Sequence, residues 1–241
     1  MSDKKIAIVT GGTGALGRHV VDRLASEGVK VYVPAISMED FNSVFDRSQS
    51  SDKPEIKSIF SFVCNATDES SVVEFVDSVS KLENGQIDYL INTVGGIHGK
   101  MTIDEMDTKT LDSMYDFNFK STFYFSREVL KRMKEKNYGR IISIGAIAAL
   151  EPSPGVFAYS MSKAGVINLM NTIAEENKGT DIRANTVIPS ILDTPANREW
   201  GSDDDIRTWV KPEKVADIIW TLLQDSFSDV RQSMVKVYGK Y

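Results

Sequence analysis

Lys5-Ile-Ala-Ile-Val-Thr10-Gly11-Gly-Thr-Gly14-Ala-Leu-Gly17-Arg-His-Val-Val-Asp-Arg-Leu24-Ala-Ser-Glu27-Gly28-Val-Lys-Val-Tyr-Val33 is the stretch on which the fold turns. Its first six residues form a short apolar run with the character of a buried strand. Gly11 to Gly14 is a turn, and Ala15 to Glu27 sets Leu16, Val20, Val21 and Leu24 at helical spacing. Gly28 closes the helix and Val29 to Val33 resumes a strand. A strand, Gly-rich turn, helix and strand is the unit that places backbone N–H groups and a helix N-terminus against a pyrophosphate. Glycine is needed there because a side chain would hold the phosphate off the backbone. A plain tight βα connection has the same local pattern, so the rest of the chain decides.

The alternation continues. Strands are expected at Ser58 to Val63, Ile87 to Asn92, Arg140 to Ile144, Asp181 to Ile188 (ended by Pro189) and Met234 to Tyr238. Between them, amphipathic helices run from Asp68 through Val79, within Asp104 to Lys136, from beyond Pro154 through Glu176, and from Val210 to Asp225, opened by Pro212. Ser37 to Lys57, rich in Ser, Asp and Lys, reads as a short helix plus a mobile loop. Continuous apolar strands separated by helices imply an α/β, doubly wound Rossmann-type fold with about seven mainly parallel strands and helices on both faces. No linker or repeat interrupts it, so residues 1–241 are expected to form a single domain. Ligands bind such sheets beyond the carboxyl ends of the strands, where Gly11, Asn65, Asn92, Gly145 and Pro189 all fall.

Composition narrows the partners. A formal net charge of −6 disfavours a sequence-independent grip on nucleic acid or anionic lipid, and a small-molecule substrate fits better. Cys64 is the sole cysteine, which excludes an intrachain disulfide and suits a reducing compartment. Met1-Ser-Asp-Lys-Lys5 does not lead into a signal-peptide core and no apolar stretch reaches transmembrane length, so the expectation is a cytoplasmic protein without a membrane partner. His19 and His98 have no second ligand at metal spacing, and no metal is expected.

Chemistry is concentrated between Arg140 and Lys163. Tyr159 and Lys163 stand four apart in Phe157-Ala-Tyr-Ser-Met-Ser-Lys163, on one helix face. A free phenol titrates near ~10, and a neighbouring cation would lower that value, giving a tuned proton donor. The aromatic face Phe117, Phe119, Phe123 and Phe125 exceeds what a solvated helix carries. Asp203-Asp-Asp205 reads as a solvated turn or the cap of a following helix. Trp200 and Trp209 bracket a stretch that either closes over a ligand or pins a surface loop.

With these positions in line, the chain resembles the short-chain dehydrogenase/reductase family over essentially its whole length. The matching residues are Thr10-Gly11…Gly17, Asn92-Thr-Val-Gly95, Asn118, Tyr159-x-x-x-Lys163 and Pro189…Thr194. Gly14-Ala-Leu-Gly17, Leu192-Asp-Thr-Pro-Ala-Asn-Arg198 and Trp209 are similar to the dihydropteridine reductase group within it. The resemblance implies that Gly11, Thr13, Leu16 and Gly17 frame the pyrophosphate and adenosine ribose. It sets Asn65 beside the adenine and Asn92 with Gly95 along the adenosine side. Tyr159 would be the proton donor, Lys163 would hold the nicotinamide ribose and tune the tyrosine, and Asn118 would anchor a water relaying protons to Lys163. Ile188 with Thr194 would hold the carboxamide. Residues from about 190 to 210 would form the substrate loop, and the Phe117 to Phe125 and Tyr159 helices would make a homodimer or homotetramer.

Departures from the family pattern are informative. Ala15 replaces the middle glycine, Thr93 and Val94 stand where Asn and Ala are usual, and Ser190 follows Pro189. The catalytic serine is Ala146; Ser143 lies nearby but is expected to face away along its strand. An acid ending the second strand normally selects NAD through the ribose 2′-OH, yet Pro34-Ala-Ile-Ser37 has none. On that count NADP is favoured over NAD, with Arg18 a candidate to reach round. The expected function is an NAD(P)H-dependent oxidoreductase passing hydride to a conjugated, electron-poor pterin- or quinone-like molecule. The alternative is a catalytically silent dinucleotide-binding or scaffolding protein, because of Ala146.

Overall fold

The computed structural model describes residues 4–45, 57–151 and 153–240. The nucleating unit is β1 (Ile6–Thr10), α1 (Gly17–Ser26) and β2 (Lys30–Ala35). The helix starts later than the hydrophobic pattern suggested, because Gly14 and Ala15 belong to the turn. Beyond it lie α2 (Met38–Val44), β3 (Ile59–Val63), α3 (Glu69–Leu82), β4 (Tyr89–Asn92), α4 (Thr108–Tyr115), α5 (Ser121–Lys136) and β5 (Tyr138–Ile144). The rest is α6 (Phe157–Glu176), β6 (Asp181–Pro189), α7 (Pro195–Arg198), α8 (Asp203–Thr208), α9 (Pro212–Leu223) and β7 (Met234–Val237). The loop expected between Val44 and Lys57 lies mostly outside the described residues.

Among the described residues seven strands form one parallel sheet in the order β3-β2-β1-β4-β5-β6-β7. The order reverses between β1 and β4, which opens a crevice at their carboxyl ends. Alternation along the strands divides the core. Ala7 and Val9 of β1 pack with Val20, Leu24, Phe41, Val215 and Ile219 on one face. Ile6 and Ile8 pack with Val72, Phe75, Phe125, Val129 and Met170 on the other. Both faces of every central strand are therefore dry, which explains the continuous apolar runs.

Two helical details refine the sequence reading. Asp203, Asp204 and Asp205 are the first turn of α8, not its cap; Ser202 is the cap, reciprocating with Asp205. The helices expected within Asp104 to Lys136 are α4 and α5, joined without a break through a π-helical turn, Asp116–Lys120, that contains Asn118.

Candidate active site

The turn after β1 is held by close approaches. Gly11 has φ +63°, and a Cβ there would lie 2.9 Å from the Val94 backbone nitrogen. Gly17 abuts the Gly11 carbonyl, so α1 packs directly on the turn. Leu16 is buried in the core; what it can offer a ligand is backbone. Thr93 explains its own departure from the family: its hydroxyl donates to the Thr10 carbonyl at 2.6 Å, stitching β4 to β1 at the crevice.

A dinucleotide fits this cradle. α1, like α6 and α9, has no side-chain cap, and it carries no acid in its first turn, whereas α2, α3, α4 and α8 are capped by Ser37, Asp68, Asp107 and Ser202. Uncapped N–H groups above a turn of glycines are what a pyrophosphate needs.

The Asn92 side chain is spent inside the fold. It is buried, and its Nδ2 donates to Ser126 Oγ at 3.2 Å and Ser143 Oγ at 3.1 Å, tying β4 to α5 and β5. Its side chain therefore faces the interior, and what Asn92 offers the crevice is backbone. Ser143, also buried, is further engaged with Met170 Sδ. Asn65 is exposed after β3, and its Oδ1 accepts from the Thr67 N–H and hydroxyl. Ile188 is buried against Gly145, so only its backbone is on offer, and Thr194 caps α7 by accepting from the Asn197 N–H.

The remaining residues converge. Lys163 reaches from α6 to the carboxyl end of β5, where Nζ donates to the Ile144 carbonyl at 2.9 Å. A Cβ placed on Gly95 would be 2.6 Å from Asn118 Oδ1 and 2.7 Å from Lys163 Nζ, so Gly95 lies directly against both. Asn118 holds Gly96 by accepting from its N–H and donating to its carbonyl, and also donates to the Met114 carbonyl at 3.1 Å. Its own carbonyl, the expected water anchor, accepts from Thr122 Oγ1 at 3.2 Å.

Electrostatics corrects one expectation. Burial pushes the Tyr159 phenol up to about 12 and draws the Lys163 ammonium down to about 8. The expected lowering of the tyrosine is absent because desolvation disfavours both charged forms and Lys163 is turned to Ile144. Ala146 is extended and 7 % exposed, immediately after Gly145.

The segment 190–210, expected to meet substrate, is closed at its neck. Asp193 N–H donates to the Val210 carbonyl and Val210 N–H to that of Ile191. The buried Asp193 carboxylate accepts from Arg198 and Lys211, which hold it well below the usual carboxylate range. Of the two tryptophans, Trp209 is buried against Gly201 and pins the loop, while Trp200 is 60 % exposed beside Lys100. His98 lines an open cleft of about 820 Å³ and sits 3.1 Å from Ser113 Oγ. Sequence reasoning missed Asp40, which accepts from Thr13 at 2.7 Å; its signal was an acid in the first turn of a helix directly after β2.

The short-chain dehydrogenase family model matches residues 5–205. The chain belongs to the short-chain dehydrogenase family. An uncharacterized oxidoreductase of Staphylococcus saprophyticus is 29% identical over 235 residues, covering 96% of this chain and 97% of that one. The 7alpha-hydroxysteroid dehydrogenase of Bacteroides fragilis is 32% identical over 196 residues, 80% of this chain and 74% of its own. The solved structure of ElxO with NADP bound shares the fold at a TM-score of 0.88 and 22% identity, each chain covered to 97%. This short-chain dehydrogenase is an NAD(P)-dependent oxidoreductase. Among its described residues no helix is long and apolar enough to cross a membrane.

Proposed function

We propose that the protein reduces a conjugated, electron-poor small molecule, pterin- or quinone-like, with Tyr159 supplying the proton. The observation that carries this reading is that Lys163, on the helix that bears Tyr159, meets Gly95 and Asn118 at the carboxyl end of the sheet. Bound there, a nicotinamide supplies hydride. Gly11, Gly17 and the N-terminus of α1 would hold its phosphates, and Lys163 its ribose. A phenol pushed up to about 12 stays protonated at neutral pH and is loaded as a donor. Lys163, drawn toward neutrality, can refill it, and Asn118 keeps the Gly95–Gly96 backbone against Lys163.

Ala146 supports the substrate class. Without a serine hydroxyl an ordinary ketone loses a donor worth on the order of 2.7–4 kcal/mol in the transition state, whereas an electron-poor ring needs less polarisation. The Leu192 to Arg198 likeness to the dihydropteridine reductase group points the same way. Exposed apolar side chains on the loops beyond the strands, Ile97, Leu150, Ile191 and Trp200, suit a flat ring. These loops belong to the same unit, residues 1–241, with 190–210 shaping the pocket. The stacked ladder Tyr115, Phe119 and Phe123, together with exposed Phe117, supports pairing of copies through α4–α5 and α6.

Turnover of a quinonoid dihydropterin or a quinone, abolished by Tyr159→Phe, is the expected result. Ala146 equally favours a second reading, a dinucleotide-binding protein without catalysis. Cofactor binding with no turnover of any such acceptor would select it.

A further inference from the structure

We propose that Asp40 reads the adenosine ribose and makes this protein select NAD(H) over NADP(H). The inference rests on the nucleotide site proposed above and reverses the preference suggested by the bare end of β2. β2 ends at Ala35, and Ser37 caps α2 by accepting from the Asp40 N–H at 3.0 Å. That cap fixes Asp40 in the first turn of α2, just past the carboxyl end of the strand. Thr13, in the turn after β1, donates its hydroxyl to Asp40 Oδ2 at 2.7 Å. The carboxylate is thereby fastened to the turn that takes the phosphates.

Packing leaves little freedom in this arrangement. β1 and β2 are adjacent and parallel, and a Cβ on Gly12 would lie 2.8 Å from Val33 Cγ1, so turn and strand are in direct contact. The ribose that follows the pyrophosphate along this edge meets α2 as its next wall. An acid at that place accepts from a ribose 2′-OH. A 2′-phosphate would instead bring a charge of about −1.5 to −2 against it. Asp40 is only partly buried, and the group bonded to it is a neutral hydroxyl, so its charge is not cancelled by that partner. Thr13 occupies one carboxylate oxygen and orients the second, so a missing strand-end acid is replaced by one from the following helix.

Fluorescence titration of the full chain with NADH, NADPH and 2′-deoxy-NADH tests this. NADH should bind about tenfold or more tightly than NADPH, and also than 2′-deoxy-NADH, which lacks the donor to Asp40. Asp40→Asn, checked for folding by circular dichroism, should narrow the NADH to NADPH ratio about tenfold. NADPH binding as well as or better than NADH, or equal binding of NADH and 2′-deoxy-NADH, overturns the assignment. Both comparisons use the unaltered protein, so they decide even where the variant fails to fold. Binding of none of the three overturns the nucleotide site and the assignment with it, an outcome distinct from binding with the wrong preference.

Discussion

Asn118 and Gly96 exchange two hydrogen bonds, Gly96 N–H to Oδ1 at 2.9 Å and Nδ2 to the Gly96 carbonyl at 3.0 Å. The pairing fixes a loop that runs against Lys163. Asn118→Leu leaves both Gly96 groups and the Met114 carbonyl without this partner, and should lower stability by about 3 kcal/mol in urea denaturation. Asn118→Asp keeps the acceptor but sets a carboxylate against two carbonyls, so it should not rescue. Full stability in either variant would show that the pairing is incidental.

Lys163 and Tyr159 make stability depend on pH with opposite signs. Lys163 titrates at about 8 in the fold, against 10.5 for the unperturbed side chain. Between those values the unfolded chain binds the extra proton, so stability rises with pH from about 8 toward 10. Tyr159, at about 12 against 10.0, reverses the trend above pH 10, because the unfolded phenol ionises first. Cys64, raised by burial from 9.0 to about 11, works against the climb from pH 9, and Tyr138, raised to about 12, adds to the fall, so the urea midpoint of the ligand-free protein should rise from about pH 8, level off near 9 and fall above 10. Lys163→Met should remove the climb.

Ala146→Ser tests the account of the missing hydroxyl. The residue precedes a short 3₁₀ turn, Ile147–Ala149, in extended conformation, so a serine can either face substrate or cap that turn. The expected outcome is a rise in kcat/KM for simple ketones of about tenfold or more. A gain in melting temperature with unchanged ketone turnover would mean that the hydroxyl is spent on the cap.

Asp193 holds the neck of the proposed substrate loop. Its side chain is buried while Arg198 and Lys211 are more than half exposed, so Asp193→Ala should cost about 1–2 kcal/mol, less than a fully buried pair. KM should rise more than kcat falls, and protease cleavage between 195 and 209 should quicken. Because the carboxyl is held below its usual range, this contribution is present at neutral pH and is lost in acid.

The sheet was legible because its central strands are buried on both faces, so Ile6 to Thr10 or Asp181 to Pro189 need no tertiary knowledge to be recognised. Positions whose work is done by backbone, such as Gly11 and Gly17, were legible for the same reason: few residues can replace them. Side-chain direction was not. Asn92 falls at the rim in sequence, yet its amide is drawn inward because Ser126 and Ser143 offer hydrogen bonds that span α5 and β5. The tuning of Tyr159 depends on how deeply both it and Lys163 are desolvated, which spacing on a helix does not report. Asp40 was hidden because its partner, Thr13, is 27 positions away. The two tryptophans divided their roles through Gly201, whose missing side chain makes room for Trp209 alone.

The π turn at Asp116–Lys120 has a consequence for the phase of the long rod formed by α4 and α5. Such a turn holds about one residue more than the α turn it replaces, and each residue advances an α-helix by roughly 100°. Met114 on one side and Phe125, Val129 and Met133 on the other are all buried, each set on its own seam. In an uninterrupted α-helix one added residue would turn Phe125, Val129 and Met133 by about 100° relative to Met114; the wider turn absorbs it, so deleting one residue at 116–120 should restore regular hydrogen bonding and leave both seams buried. What the extra residue adds is local: it widens the turn that carries Asn118 against Gly96, while the second half of the rod keeps its buried face.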